Sequence, residues 1–313
     1  MTLLKPPAVV HDAHWSVIAP ASFAQPDRVT HGFEALRTHG FVPEPTAHAS
    51  ERGPLFFAGT AKQRQADLHA AFADSTTSAI MAVRGGYGSN YLLEDLDVAT
   101  IQQRPKPFFA YSDLTGIQLH LLDRIGLPVF HGPMLAADFY LTDGVHRDSF
   151  RASLAGDPYS VGEAEGMRLL KPSATSDAVE GTLYGGCLSI LVALLGTPWE
   201  PKTEGKLLFI EDVGAKPYQI DRMLWQLRSA GKLDGVPAIV FGEMLDCASA
   251  GAAPDLLENT ILSALHGFAG PIAIGLRSGH VSRQNVTLTF GVEAELTTGD
   301  HPRLNLLEPA VTK

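Results

Sequence analysis

Apolar residues in the first 130 positions recur in two alternating modes. Short continuous runs, WSVIAPAS, SAIMAVRGG, PKPFFAYS and LPVFHG, have the length of buried strands and end in small or turn-forming residues. Between them lie stretches with helical spacing: DRVTHGFEALRTHG, stopped by Gly40, then AKQRQADLHAAFADS at 61–75, then DLTGIQLHLLDRIG. Strands alternating with helices predict an α/β fold, here an N-terminal Rossmann-like domain with a doubly wound, mostly parallel sheet over 5–150. From 136 to 180 the periodicity gives way to polar sequence with scattered Gly and Pro, and 151–178 reads as a polar crossover linker. Beyond it, GGCLSILVALLGTP predicts an apolar helix ended by Gly196 and Pro198, and KLLFIED a strand. PYQIDRMLWQLRSAG predicts a helix with Ile220, Met223, Leu224 and Leu227 on one face, followed by the strands PAIVFGEM and VTLTFG. These elements make up a smaller C-terminal mixed α/β domain over 179–308.

Composition narrows the function classes. The chain has 313 residues, of which 45% are hydrophobic, enough to bury a substantial core. Its formal net charge of -10 and the lack of any Lys/Arg block argue against nucleic acid as a partner. The opening MTLLKPPAVVHDAHWSVIAPAS has no basic segment leading into an unbroken apolar run, and no stretch reaches the length needed to span a bilayer. A cytoplasmic protein without a membrane partner is the expectation. Cys187 and Cys247 lack CxxC spacing. The twelve histidines form no HExxH, and the close pair His11 and His14 has only Asp12 beside it. Neither a metal nor an organic cofactor is expected.

Four segments hold candidate chemistry. In the run from Phe108 to Gly126, apolar FFAY meets Ser112-Asp113 and turns directly into a helix. A strand, a sharp turn and a helix can form a nucleophile elbow, although Ser or Asp in front of a helix equally serves as a cap. RGGYGSN at 84–90 follows a strand, and its glycines permit close backbone approach to a ligand. It lacks P-loop and GxGxxG spacing. The Gly86 N–H is either a second oxyanion donor or part of a tight turn. Glu211 ends KLLFIED, where an acid is usually solvated or capping, and His280 lies in the loop GLRSGHVSRQ, where a lone histidine is usually a surface residue. Together they give the chain order Ser, acid, His, one of the known orders for nucleophilic triads.

Six motifs in order resemble the muropeptide LD-carboxypeptidases, serine peptidases related to the microcin C self-immunity protein. They are RGGYGS at 84–89, YSDLTGIQLHL at 111–121, FHGPM at 130–134, GTLYGGCLSIL at 181–191, LFIEDVGAKPYQIDRMLWQL at 208–227 and GHVSRQNVTLTFG at 279–291. The resemblance implies Ser112 as nucleophile, His280 as general base and Glu211 as the acid that orients it, with the N–H groups of Gly86 and Asp113 forming the oxyanion hole. It also implies hydrolysis of the amide between the L-centre of meso-diaminopimelate and a terminal D-alanine, converting murein tetrapeptide to tripeptide in cell-wall recycling by a homodimer. Ala110 departs from a glycine expected before Tyr-Ser, and Cys187 stands where many members have asparagine. Two alternatives remain at this point: cleavage of peptidyl-nucleotides, as in the self-immunity branch, and a non-enzymatic ligand-binding module. Arg84 and Arg277 lie near the motifs as possible partners for a substrate carboxylate, and neither is assigned.

Overall fold

Strand runs that are apolar throughout demand cover on both faces, and in the computed structural model they receive it. The structure describes residues 2–173, 176–248, 251 and 253–313; Ala174 and Thr175, inside the expected crossover, lie outside the described residues. Its contacts divide the chain into two units.

The first unit runs to Pro158 and also takes in Arg283–Gly291 and Pro309–Lys313. Its sheet contains β1 (His14–Ile18), β2 (Val42–Pro45), β3 (Ala79–Ala82), β4 (Phe108–Ala110) and β5 (Val129–His131), arranged β2-β1-β3-β4-β5 and all parallel. The crossovers carry α1 (Pro26–Thr38), α2 (Ala61–Ala73), α3 (Val98–Gln103) and α4 (Thr115–Ile125). Local chemistry sets their ends. Pro26 opens α1, a Thr60–Gln63 capping box starts α2, and Gly126 at φ +71 stops α4. Strand order reverses between β1 and β3, so the loops leaving their carboxyl ends flank a topological switch point, where open α/β sheets bind ligands.

The second unit comprises Tyr159–Ser282 and Val292–Glu308. Four parallel strands, Ala178–Cys187, Lys206–Glu211, Ile239–Gly242 and Ile272–Leu276, form the middle of an eight-stranded sheet whose outer strands are antiparallel. The helix Pro217–Ser229 buries Ile220, Leu224 and Leu227, with Met223 half-buried at the margin of that face.

Three details differ from the sequence pattern. The stretch 151–178 carries the end of the helix Arg147–Ala155 and the strands Tyr159–Gly162 and Arg168–Lys171. Those two strands are the outer edges of the second sheet, where polar residues are tolerated and apolar alternation is not required. GGC of GGCLSIL is strand rather than helix, because Gly185 and Gly186 sit at φ +141 and +137, and a Cβ at Gly185 would fall 1.8 Å from the Phe209 carbonyl oxygen. Only Leu188–Ala193 is helical. The strand within VTLTFG, Leu288–Phe290, pairs antiparallel with β5 and so belongs to the first unit.

Candidate active site

Ser112 follows β4 after one extended residue, Tyr111, and is the first residue of the short turn Ser112–Leu114 that enters α4. Its φ is +66, a left-handed conformation that non-glycine residues adopt at a cost of about 1–3 kcal/mol. A capping serine normally sits in the extended region. The residue before the first turn of α4 is Leu114, which makes no side-chain cap, so capping does not account for Ser112. Both neighbours, Tyr111 and Asp113, are buried, while Ser112 itself is half-exposed.

The glycine loop after β3 packs on this turn. A Cβ at Gly85 would stand 2.8 Å from the Ser112 Cβ, 3.0 Å from its Oγ and 3.3 Å from the Asp113 nitrogen. Gly86, at φ +104, lies against Ser22, whose Oγ would be 2.4 Å from a Cβ there. Ser22 is in the loop after β1, and its Oγ accepts a hydrogen bond from the Tyr87 N–H at 3.1 Å. Ser89 N–H donates to Asp113 Oδ2 at 2.8 Å, and Ser89 Oγ donates to the Asp113 carbonyl at 2.6 Å. Burial pushes the Asp113 carboxyl above its ordinary value, and the Ser89 bonds and the Arg64 charge oppose that rise. Arg64 itself is buried, and its Nη1 donates to the carbonyls of Pro20 and Gly88, each at 2.7 Å. The candidate oxyanion donors Gly86 and Asp113 are thus carried by a loop and a turn tied together at several points.

In the second unit, Glu211 ends its strand fully buried and meets His280. Glu211 Oε2 accepts from His280 Nδ1 at 2.7 Å and from the His280 backbone N–H at 3.0 Å. A carboxylate at Nδ1 selects the Nδ1–H tautomer and makes Nε2 the basic nitrogen. Glycine makes the approach possible: a Cβ at Gly279, at φ +87, would fall 2.6 Å from the Glu211 Cδ, and one at Gly242 would fall 2.7 Å from its Cβ. The adjacent Asp212 turns the other way. It accepts from the Ser189 and Val213 N–H groups, both at 2.8 Å, and burial raises its carboxyl. Cys187 is in register with Glu211 on the neighbouring strand. Burial, then the charge of Glu211, pushes its thiol well up.

The sequence motifs therefore fall into two structural groups. Ser112, Asp113 and Gly86 gather in the first unit, and Glu211 and His280 pair in the second. Arg277 Nη2 donates to the Ala164 carbonyl at 2.7 Å, a structural tie, whereas Arg84 is exposed. Gly85, Ser22, Ser89 and Arg64 escaped the sequence reading. Gly85 and Ser89 lie within RGGYGSN, yet nothing local marks which glycine faces the serine, and the partners of Ser22 and Arg64 are distant in sequence. Among the described residues no group of three or more His, Cys, Asp or Glu side chains is arranged to hold a metal ion, and no helix is long and apolar enough to cross a membrane.

Comparison with known proteins covers both units. Residues 16–132 match the LD-carboxypeptidase N-terminal domain and residues 180–296 the LD-carboxypeptidase C-terminal domain. A probable murein peptide carboxypeptidase of Bacillus subtilis is 34% identical over 95% of this chain and 92% of its own length. The microcin C7 self-immunity protein of Escherichia coli is 28% identical over 93% of this chain and 92% of its own. The crystal structure of a muramoyltetrapeptide carboxypeptidase from Oxalobacter formigenes superimposes with a TM-score of 0.83 at 28% identity, covering 96% of this chain and all of that one.

Proposed function

The chain belongs to the LD-carboxypeptidase family, and from that premise we propose that it is a serine-type LD-carboxypeptidase acting on the murein tetrapeptide, free or sugar-linked. In this reading Ser112 Oγ attacks the carbonyl carbon of the L-centre of meso-diaminopimelate. His280 Nε2 takes the serine proton and returns it to the departing nitrogen of D-alanine as the C–N bond breaks. Glu211 stabilises the imidazolium in between. The N–H groups of Gly86 and Asp113 hold the developing oxyanion. Water, deprotonated by His280, then attacks the acyl-serine ester; the tripeptide leaves and Ser112 regains its proton. Cell-wall recycling in the cytoplasm by a homodimer is the setting that this reading implies.

One observation carries the proposal: Ser112 is held at φ +66 between a buried strand and a helix, a strained position that no capping bond explains. The test is release of D-alanine from a tetrapeptide ending in meso-diaminopimelate-D-alanine, by the purified protein in the presence of a chelator. The Ser112→Ala variant should release none above background, and an all-L analogue should be a poor substrate. Unchanged release by that variant, with contaminating enzyme excluded, overturns the assignment.

Similarity to the microcin C7 self-immunity protein along nearly the whole chain supports a second reading, hydrolysis of peptidyl-nucleotides by the same residues. Rapid turnover of an aminoacyl-sulfamoyl adenosine with none of the tetrapeptide would select it.

A further inference from the structure

Beside the glycine loop lies a cluster of aromatic rings that the proposed chemistry leaves unused. Phe56, Tyr87 and Tyr91 are 45%, 44% and 53% exposed, and Leu55 next to them is 79% exposed at φ +58. Contiguous apolar exposure of this kind marks a binding surface, whereas singly scattered residues do not. Here the rings touch. Phe56 lies 5.5 Å from Tyr87, Phe57 5.9 Å from Tyr91, and Tyr87 6.2 Å from Tyr91, all edge-to-face.

The cluster is pinned from behind. The Arg64 guanidinium sits 5.0 Å over the Phe57 ring while its Nη1 holds the Pro20 and Gly88 carbonyls. Gly88, at φ +117, has room for no side chain, since a Cβ there would strike Phe57 at 2.5 Å. Rings held this way pay little ordering entropy when a ligand arrives. The platform also adjoins the chemistry: Tyr87 follows Gly86 in the chain, and Gly85 abuts Ser112.

We propose that Phe56, Tyr87 and Tyr91 form a stacking subsite for the pyranose ring of a sugar-linked muropeptide, making that substrate better than the free tetrapeptide. The inference rests on the carboxypeptidase reading above. In a sugar-linked tetrapeptide three residues separate the sugar from the scissile bond, roughly 10 Å of extended chain. A ring subsite therefore belongs beside the nucleophile's loop rather than within it. A pyranose presents C–H groups on one face and hydroxyls at its rim, so half-exposed rings can cover the face while water and tyrosyl hydroxyls serve the rim.

The probe is N-acetylmuramoyl-L-alanyl-D-isoglutamine, which lacks the scissile bond and so reports binding apart from turnover. Calorimetry with the intact protein should show binding that weakens about tenfold or more in Phe56→Ala/Tyr91→Ala and persists in Phe56→Tyr/Tyr91→Phe, which keeps the rings. In turnover, kcat/KM for the sugar-linked tetrapeptide should exceed that for the free one by about tenfold, and the ratio should fall towards one in the double alanine variant. The proposal is overturned if the muramoyl dipeptide does not bind, or binds the double alanine variant equally well. It is also overturned if adenosine binds in its place with the same residue dependence, or if the double variant dissociates a dimer, which would mean that a second copy covers the rings. Failure of the carboxypeptidase reading would appear separately, as no D-alanine from either tetrapeptide with the wild-type protein.

Discussion

Gly85 and Ser112 face each other so closely that no side chain fits between them: a Cβ on the glycine would lie 2.8 Å from the serine Cβ and 3.0 Å from its Oγ. Gly85→Ala must therefore displace either the loop or the hydroxyl. Misplacing a reacting atom by about 1 Å costs on the order of a hundredfold in rate, so kcat should fall by at least that much. Gly299, which has nothing within 4 Å of a Cβ, is the control. Gly299→Ala measured in parallel should retain full kcat, and equal activity of the two variants would show that the Gly85 contact is irrelevant to the reaction.

Ser112→Gly separates strain from chemistry. Removing a non-glycine residue from φ +66 relieves about 1–2 kcal/mol, while the freer unfolded chain takes back about 0.5–1 kcal/mol. The variant should be inactive and no less stable, gaining about 0–1.5 kcal/mol in urea unfolding. A clear loss of stability would mean that the serine side chain holds the turn together.

Glu211→Gln keeps the shape of a fully buried side chain and removes its charge. The amide can donate to His280 Nδ1, which selects the wrong tautomer and leaves the imidazolium without its counter-charge. kcat should fall by roughly 10³–10⁴-fold, with activity remaining above that of Ser112→Ala. A variant within threefold of wild type would dismiss Glu211 as the orienting acid.

Lys106 provides a pH signature of folding. Its ammonium is buried against the carbonyls of Ala71 and Asp74 and the Thr77 hydroxyl, and burial lowers its pKa to about 8. The folded state thus releases this proton before the unfolded state does. Between about pH 8 and pH 10.5 the unfolded chain binds more protons, so this group makes stability rise with pH across that window and holds it at its lowest below pH 8. The difference in unfolding free energy between wild type and Lys106→Met should shift by about 1–3 kcal/mol across the window. A difference that does not change with pH removes Lys106 as the source.

Both cysteines should be inert. Cys187 and Cys247 are buried; burial raises the first thiol well above its ordinary value and the second to about 11. At pH 8 the native protein should react with a thiol reagent at least about a hundredfold more slowly than the unfolded chain and should keep its activity. Fast labelling accompanied by inactivation would point to cysteine chemistry instead.

Much of this protein is written in its local pattern. The runs ending at Val83, Ala110 and Phe130 are apolar throughout because β3, β4 and β5 are covered on both faces, and that necessity makes a parallel sheet readable from sequence. Gly40 and Gly126 mark helix ends because left-handed residues stop helices wherever they occur. In the sequence Ser112 fits a nucleophile elbow and a helix cap alike, since the two share the same residue and the same neighbours. Its φ of +66, which only the tertiary structure shows, sets it apart from an ordinary cap. The strand Leu288–Phe290 looks the same whichever sheet receives it, because an apolar run encodes burial and not the identity of the partner; pairing with β5 is a choice between distant segments. The bond between Glu211 and His280 spans 69 positions, and the Arg64 ties to Pro20 and Gly88 span 44 and 24. Periodicity reports which side of an element is covered. Which residues meet across such separations is decided when the chain closes its loops and packs, so the partners of Ser112, Glu211 and Arg64 belong to the tertiary structure.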